Sequence, residues 1–280
     1  MNAKPVTSER EIVAALYLYC LGEGRIVGPM SLKGIDGEGK VFILPFGEWQ
    51  ATVSEVSVED FTSNEIQRKA LEDLAWIKEK ALVHAEIIQE AMTRDGANRA
   101  IIPMKFGTIF DGPSGLEKVL EQNYARIERV FEKIRGRQEW AVKVYLEDRK
   151  AFEEKVKEKS DFVKEKQREI ASLPEGMAYF AEEELQNLLS IEIDRELAEI
   201  SNSLHESLEK KADISGRCKL LGKEFTGKSA PMILNGAYLF SKERIEDFKK
   251  EVETLSEDAK GQGLSVEYSG PWPPYNFATW

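Results

Sequence analysis

The stretch Trp140-Ala141-Val142-Lys143-Val144-Tyr145-Leu146 sets Trp140, Val142, Val144 and Leu146 against Ala141, Lys143 and Tyr145. Alternation at a period of two is the pattern of a strand with one apolar face. Composition then changes: 16 of the 23 residues from Glu147 to Glu169 are charged, yet Phe152, Val156, Val163 and Ile170 keep a narrow apolar seam at helical spacing. Leu173-Pro174-Glu175-Gly176 breaks that pattern, and Leu185, Leu189, Ile193, Leu197, Ile200, Leu204 and Leu208 line one face of a second long helix. The two predict an antiparallel helix pair over about 147–211. Beyond it the sequence predicts strands at Cys218–Phe225 and Met232–Phe240, a helix from Ser241 to Lys260 and a strand at Leu264–Tyr268. Strand, helices, strand, strand, helix, strand is the βαββαβ order of a ferredoxin-like sandwich, with the helix pair in its first helical slot.

Working toward the beginning, Ile12–Leu21 is a ten-residue apolar run that reads as a buried first strand. A glycine-punctuated loop carries a short Ile26-Val27 element, and Val41–Phe46 and Ala51–Val56 flank Gly47-Glu48 as a hairpin. Leu71, Leu74, Ile77, Ala81, Leu82, His84, Ala85 and Ile88 predict a helix with one buried stripe. Ile101–Phe110 is a β-rich run with Pro103 inside, which assigns it to an edge or a bulge. A helix ending at Gly136 follows. The expected fold is therefore α+β in two domains. Residues 1–137 form the first, and 138–280 form the second with its helix pair and a tail at 269–280.

With 280 residues, 39 basic and 50 acidic side chains, the formal charge is −11. That balance argues against nucleic acid and anionic membranes, which need a basic stripe. Ten apolar residues are too few to span a bilayer, so the sequence predicts a soluble cytoplasmic protein. Cys20 and Cys218 have neither disulfide-framework nor zinc spacing, and His84 and His205 are the sole histidines. His84 reads as a core residue of its helix and His205 as a surface one. No catalytic, metal or cofactor-binding constellation is expected.

Gly222-Lys223-Glu224-Phe225-Thr226-Gly227-Lys228-Ser229 matches the phosphate-binding-loop pattern letter for letter. That chemistry needs a helix opening at the Lys-Ser end, whereas Pro231 and a strand follow. A nucleotide-binding assembly factor is thus the weaker alternative.

The tail crowds Trp272, Tyr275, Phe277 and Trp280 among Pro271, Pro273 and Pro274. Such a segment is stiff and extended. It either straps across a groove or presents aromatic rings to a partner.

The chain resembles the GvpL/GvpF family of gas vesicle proteins. The resemblance runs through Tyr17-Leu18-Tyr19, Ala51–Val56, Leu71–Trp76 with His84, Ile102-Pro103-Met104-Lys105-Phe106-Gly107-Thr108-Ile109-Phe110, Glu139–Val144 and Gly270-Pro271-Trp272-Pro273-Pro274-Tyr275-Asn276-Phe277. It implies two α+β domains, the first a modified ferredoxin-like one. It implies a non-enzymatic accessory or minor structural protein of gas vesicles, located in the cytoplasm and at the vesicle and serving buoyancy. Its partners would be the hydrophobic shell protein and other accessory proteins, with no cofactor, nucleic acid or membrane. A purely structural shell component is a further alternative. The expected interaction or tail-docking residues are Pro103, Phe106, Phe110, Trp272, Tyr275 and Phe277.

Overall fold

The computed structural model describes residues 14–25, 30–57, 61, 66, 68–69, 72–96 and 98–280. The Ile26-Val27 element and Leu71 lie outside the described residues. The chain divides into two compact units. Unit 1 comprises residues 1–136 together with Pro273–Trp280, and unit 2 is Arg137–Trp272. The tail from Pro273 onward thus groups with unit 1, not with the C-terminal half in which the sequence placed it.

In unit 1, β1 (Ala14–Glu23) forms the middle of an antiparallel sheet. Strands β2 (Val41–Phe46) and β3 (Trp49–Ser57) form a hairpin on one side, with Leu18 opposite Val53. Strands β4 (Ile101–Pro103) and β5 (Ile109–Phe110) pair with β1 on the other. The sequence read Ile101–Phe110 as one run. It is two short strands, because residues 104–108 leave the sheet in a turn.

β1 is buried on both faces, which explains its unbroken apolar sequence. Tyr17, Tyr19 and Cys20 pack with Ile87, Ile88, Ala91 and Met92 of α1 (Leu74–Thr93), whose first turn is capped by Asp73. Trp49 of β3 stacks on Tyr124 and lies 5.5 Å from the Phe131 ring, both in α3 (Tyr124–Ile134), which follows α2 (Gly112–Gln122). Gly136, at φ +72, turns the chain out of α3. Helix α1 departs from the expected single stripe. His84, Ile87 and Ile88 face inward, while Leu74 and Leu82 are 63% and 64% exposed.

Unit 2 is a four-stranded antiparallel sheet in the order β7-β8-β6-β9, built from β6 (Arg137–Leu146), β7 (Ile214–Arg217), β8 (Met232–Ser241) and β9 (Leu264–Trp272). Numbered by their order within each unit, the first four strands of unit 1 and the four of unit 2 both stand 2-3-1-4 across the sheet. The expected Cys218–Phe225 strand is displaced. Pairing ends at Arg217, and Lys223–Thr226 forms a single helical turn, α7.

Between β6 and β7 lie α4 (Arg149–Lys159), α5 (Asp161–Ala171) and the 35-residue α6 (Glu175–Glu209). Phe152, Val156, Val163 and Ile170 meet Leu185, Leu189, Ile193 and Leu204, the seam read from the sequence. The first member of the pair is broken at Ser160, whose backbone is extended and whose hydroxyl accepts the Val163 N–H. Helix α8 (Ile245–Lys260) inserts Phe248 and Val252 against Trp140, Tyr238 and Phe240. His205 corrects its surface assignment. It is buried, and its Nδ1 lies 2.7 Å from the Tyr238 hydroxyl. A charged helix conceals this, because the contact depends on which α6 face lies over the sheet.

Candidate interaction site

Residues 104–108 form a bulge between β4 and β5, fastened at both ends to β1. The Met104 N–H donates to the Tyr19 carbonyl (2.8 Å), and the Leu18 N–H donates to the Thr108 carbonyl (2.9 Å). Pro103 ends β4, so its missing donor interrupts nothing further along the strand. Gly107 has φ +81, a region open to glycine, and an added Cβ there would come within 3.3 Å of Ile66. Thr108 closes the turn by donating its hydroxyl to the Lys105 carbonyl (2.7 Å).

The bulge is organised from beneath by two tyrosines of β1. The Gly107 N–H donates to the Tyr17 hydroxyl (2.9 Å), which lies 3.0 Å from His84 Nδ1. His84 Nε2 is 3.1 Å from the Met104 carbonyl, which can only accept. The tautomer follows: Nε2 carries the proton, and Nδ1 accepts from Tyr17. Two residues on, the Tyr19 hydroxyl accepts the Ile35 N–H (2.7 Å) and meets Ser54 Oγ at 2.8 Å. One strand face thereby fixes two loops. Burial pushes the Tyr17 hydroxyl up, and Tyr19 up to about 12, so both stay protonated.

Burial also holds His84 below its ordinary range. Burial, then the nearby Arg217 guanidinium, does the same for His205. The unfolded chain therefore binds these protons more readily than the folded one. The stability from a neutral His84 is complete above about pH 6.5 and declines below it, by up to about 1.4 kcal/mol per pH unit. Urea midpoints should fall between pH 7.5 and 5.5, and His84→Gln should flatten part of that slope. A midpoint that stays constant would contradict the neutral assignment.

The tail packs on the outer side of this segment. Pro273, Pro274, Phe277 and Ala278 are buried, and the Phe277 and Ala278 N–H groups both donate to the Pro274 carbonyl. The Lys133 ammonium sits 5.6 Å from the Phe277 ring centroid. Pro103, Met104, Lys105, Thr108 and Phe110 face Ala278, Thr279 and Trp280 across a groove of about 270 Å³.

Of the expected residues, Pro103 and Phe110 line the groove, and Phe277 anchors the strap beside it. Phe106 turns into the core, edge-on to Tyr17 and His84. Tyr275 is exposed. Trp272 belongs to unit 2, where it is exposed and its Nε1–H donates to Ser269 Oγ (3.0 Å). Sequence reasoning passed over Tyr17 and Tyr19 as organising groups, although two tyrosines on one face of a buried strand signalled hydroxyls in need of partners.

The phosphate-loop lookalike is not a phosphate cradle in this geometry. Strand β8 follows Ser229 where a helix N-terminus would be needed. Lys228 is ion-paired with Glu267 and lies 4.4 Å from the Tyr145 ring centroid. Among the described residues no group of three or more His, Cys, Asp or Glu could hold a metal ion, and no helix is long and apolar enough to cross a membrane.

A family model described as gas vesicle synthesis protein GvpL/GvpF matches residues 15–279. Gas vesicle protein L of Streptomyces sp. (strain CB03234) is 29% identical over 251 residues, spanning 89% of this chain and 87% of that protein. Gas vesicle protein F of Haloferax mediterranei is 23% identical over 262 residues, 94% of this chain and 92% of its own length. The crystal structure of gas vesicle protein GvpF from Anabaena sp. PCC7120 superposes with a TM-score of 0.74 at 20% identity, covering 95% of this chain and 98% of that one. At that identity the superposition speaks for the fold, two antiparallel sheets in a mixed α/β chain.

Proposed function

The chain belongs to the gas vesicle synthesis protein GvpL/GvpF family, and on that premise we propose that it is a non-enzymatic accessory protein that binds the hydrophobic shell subunit and supports vesicle assembly. It acts in the cytoplasm and at the growing vesicle, in company with other accessory proteins, and so serves buoyancy. The family match along nearly the whole chain carries this reading. The chemistry supports it: an acidic, highly charged surface keeps a complex soluble, while a small apolar groove holds an apolar segment. We assign that contact to the groove between Pro103, Phe110 and Trp280, with the exposed Tyr275 ring as a second candidate contact. We also read both units as ferredoxin-like variants, from their common strand order. In unit 1 the described residues between β1 and β2, 24–25 and 30–40, form no helix, and in unit 2 the helices between β6 and β7 fill the first helical slot.

A photo-crosslinking residue in place of Phe110, in vesicle-forming cells, is expected to trap the shell subunit. Absence of shell adducts there, together with normal vesicles in a strain lacking this gene and its paralogues, would overturn the proposal. Retention at constant stoichiometry on urea-washed vesicles would instead favour a structural shell component.

A further inference from the structure

Helix α6 carries two apolar stripes. Ala178, Ala181, Leu185, Leu189 and Ile193 face the α4–α5 seam. Met177, Phe180, Leu188 and Ile191 recur at spacings of three, eight and three, which places them on one line about 120° around the helix from the first. Nothing in unit 2 covers that line at its ends: Met177, Phe180 and Ile191 are 61%, 71% and 66% exposed. The 15 residues from Met177 to Ile191 span roughly 21 Å, 14 steps of about 1.5 Å, the length of about four helical turns.

The flanks are charged with one sign. From Glu175 to Asp194 there are six acidic side chains and no lysine or arginine. Glu184 lies within the line, Glu183 and Asp194 border it on one side and Glu192 on the other. The neighbouring basic groups are engaged: Lys164 pairs with Asp161, Lys166 with Glu169, and Arg195 with Glu192. An apolar seam between acidic flanks repels a copy of itself and suits a helix with basic flanks, the charge logic of coiled-coil pairing. It also disfavours an anionic lipid surface.

We propose that the Met177–Ile191 line of α6 is a docking surface for an amphipathic helix of a partner protein, whose apolar stripe is bordered by lysine or arginine. This site is separate from the groove at Pro103 and Phe110 and does not depend on the shell-subunit reading. Aromatic and aliphatic groups at 177, 180, 188 and 191 supply the apolar contact. Glu183, Glu184 and Asp194 set orientation and exclude acidic helices.

The test uses the full chain and a synthetic 18-residue helix with a leucine stripe and lysine flanks, followed by fluorescence anisotropy at low and high salt. Binding is expected, weakened by salt, and weakened about tenfold or more by Phe180→Ser with Ile191→Ser. A glutamate-flanked version of the peptide is expected not to bind. Phe180→Glu separates contact from mere charge attraction: it adds negative charge, so loss of affinity supports the docked stripe. Retained or stronger binding with that variant would reduce the interaction to electrostatic adsorption and overturn the proposal, as would no binding by the unaltered chain. Light scattering that showed a dimer split by the same substitutions would also overturn it, assigning the stripe to a second copy. Both substituted positions are exposed, and unchanged helical circular dichroism verifies that the variants fold.

Discussion

Removing Pro273–Trp280 is expected to destabilise unit 1 by at least about 3 kcal/mol, the cost of deleting one fully buried phenylalanine. Phe277 and Ala278 are buried, and Lys133 loses the ring beneath it. The effect should be localised. Hydrogen exchange should accelerate at the amides of residues 104–110, which the strap covers, and stay unchanged in β8 of unit 2. Phe277→Ala should reproduce most of the loss, and Tyr275→Ala, at an exposed position, almost none of it. The same variants separate strap from lure in a shell-subunit pull-down. If Tyr275→Ala removes capture without altering stability, the exposed ring is a partner contact. If only Phe277→Ala and the deletion remove capture, the tail acts by shaping the groove. A deletion with unchanged urea midpoint and exchange would show that the strap contributes nothing to unit 1.

Tyr17→Phe is expected to cost about 2–4 kcal/mol, although it removes a single oxygen. That oxygen serves Gly107 and His84 together, so its loss leaves a half-buried N–H and a buried ring nitrogen without that partner, each worth about 1–3 kcal/mol. Tyr19→Phe makes a useful comparison, because its hydroxyl holds Ile35 and Ser54 instead of the bulge. Both variants should lose stability, but only Tyr17→Phe should raise exchange at Gly107 and weaken groove-dependent binding. Equal exchange at Gly107 in the two would dissociate the hydroxyl from the bulge.

Elements defined by a simple period were legible in the sequence. The alternation at Trp140–Leu146 lies within β6, and the apolar seam from Phe152 to Leu204 is buried between α4–α5 and α6, while Leu208 packs with Trp140 and Phe240. The apolar Leu16–Leu21 run is a strand buried on both faces. Where a helix carries two apolar lines, periodicity alone does not say which one meets the sheet. This is why Leu74 and Leu82 face solvent on α1, and why His205 on α6 was assigned to the surface. The break at Ser160 depends on one hydroxyl outcompeting helix continuation, a local balance hidden inside a continuous charge pattern. In the tail no period exists at all. Phe277 inward with Trp272 and Tyr275 outward is set by the turn at Pro274. The groove residues Pro103 and Phe110 were legible as a segment; their assembly with Ala278–Trp280 required the three-dimensional path of the chain.

That path has a consequence in time. The strap leaves the ribosome only after all of Arg137–Trp272 has been made. At about 5–20 residues per second, those 136 residues take roughly 7–27 s. Throughout that interval a nascent unit 1 has its bulge, its tyrosines and its sheet, but no Phe277 under Lys133. Its groove is open and unguarded. A client that arrives during synthesis meets a wider apolar cleft than one that arrives afterwards, and closure by the tail waits until unit 2 has been made.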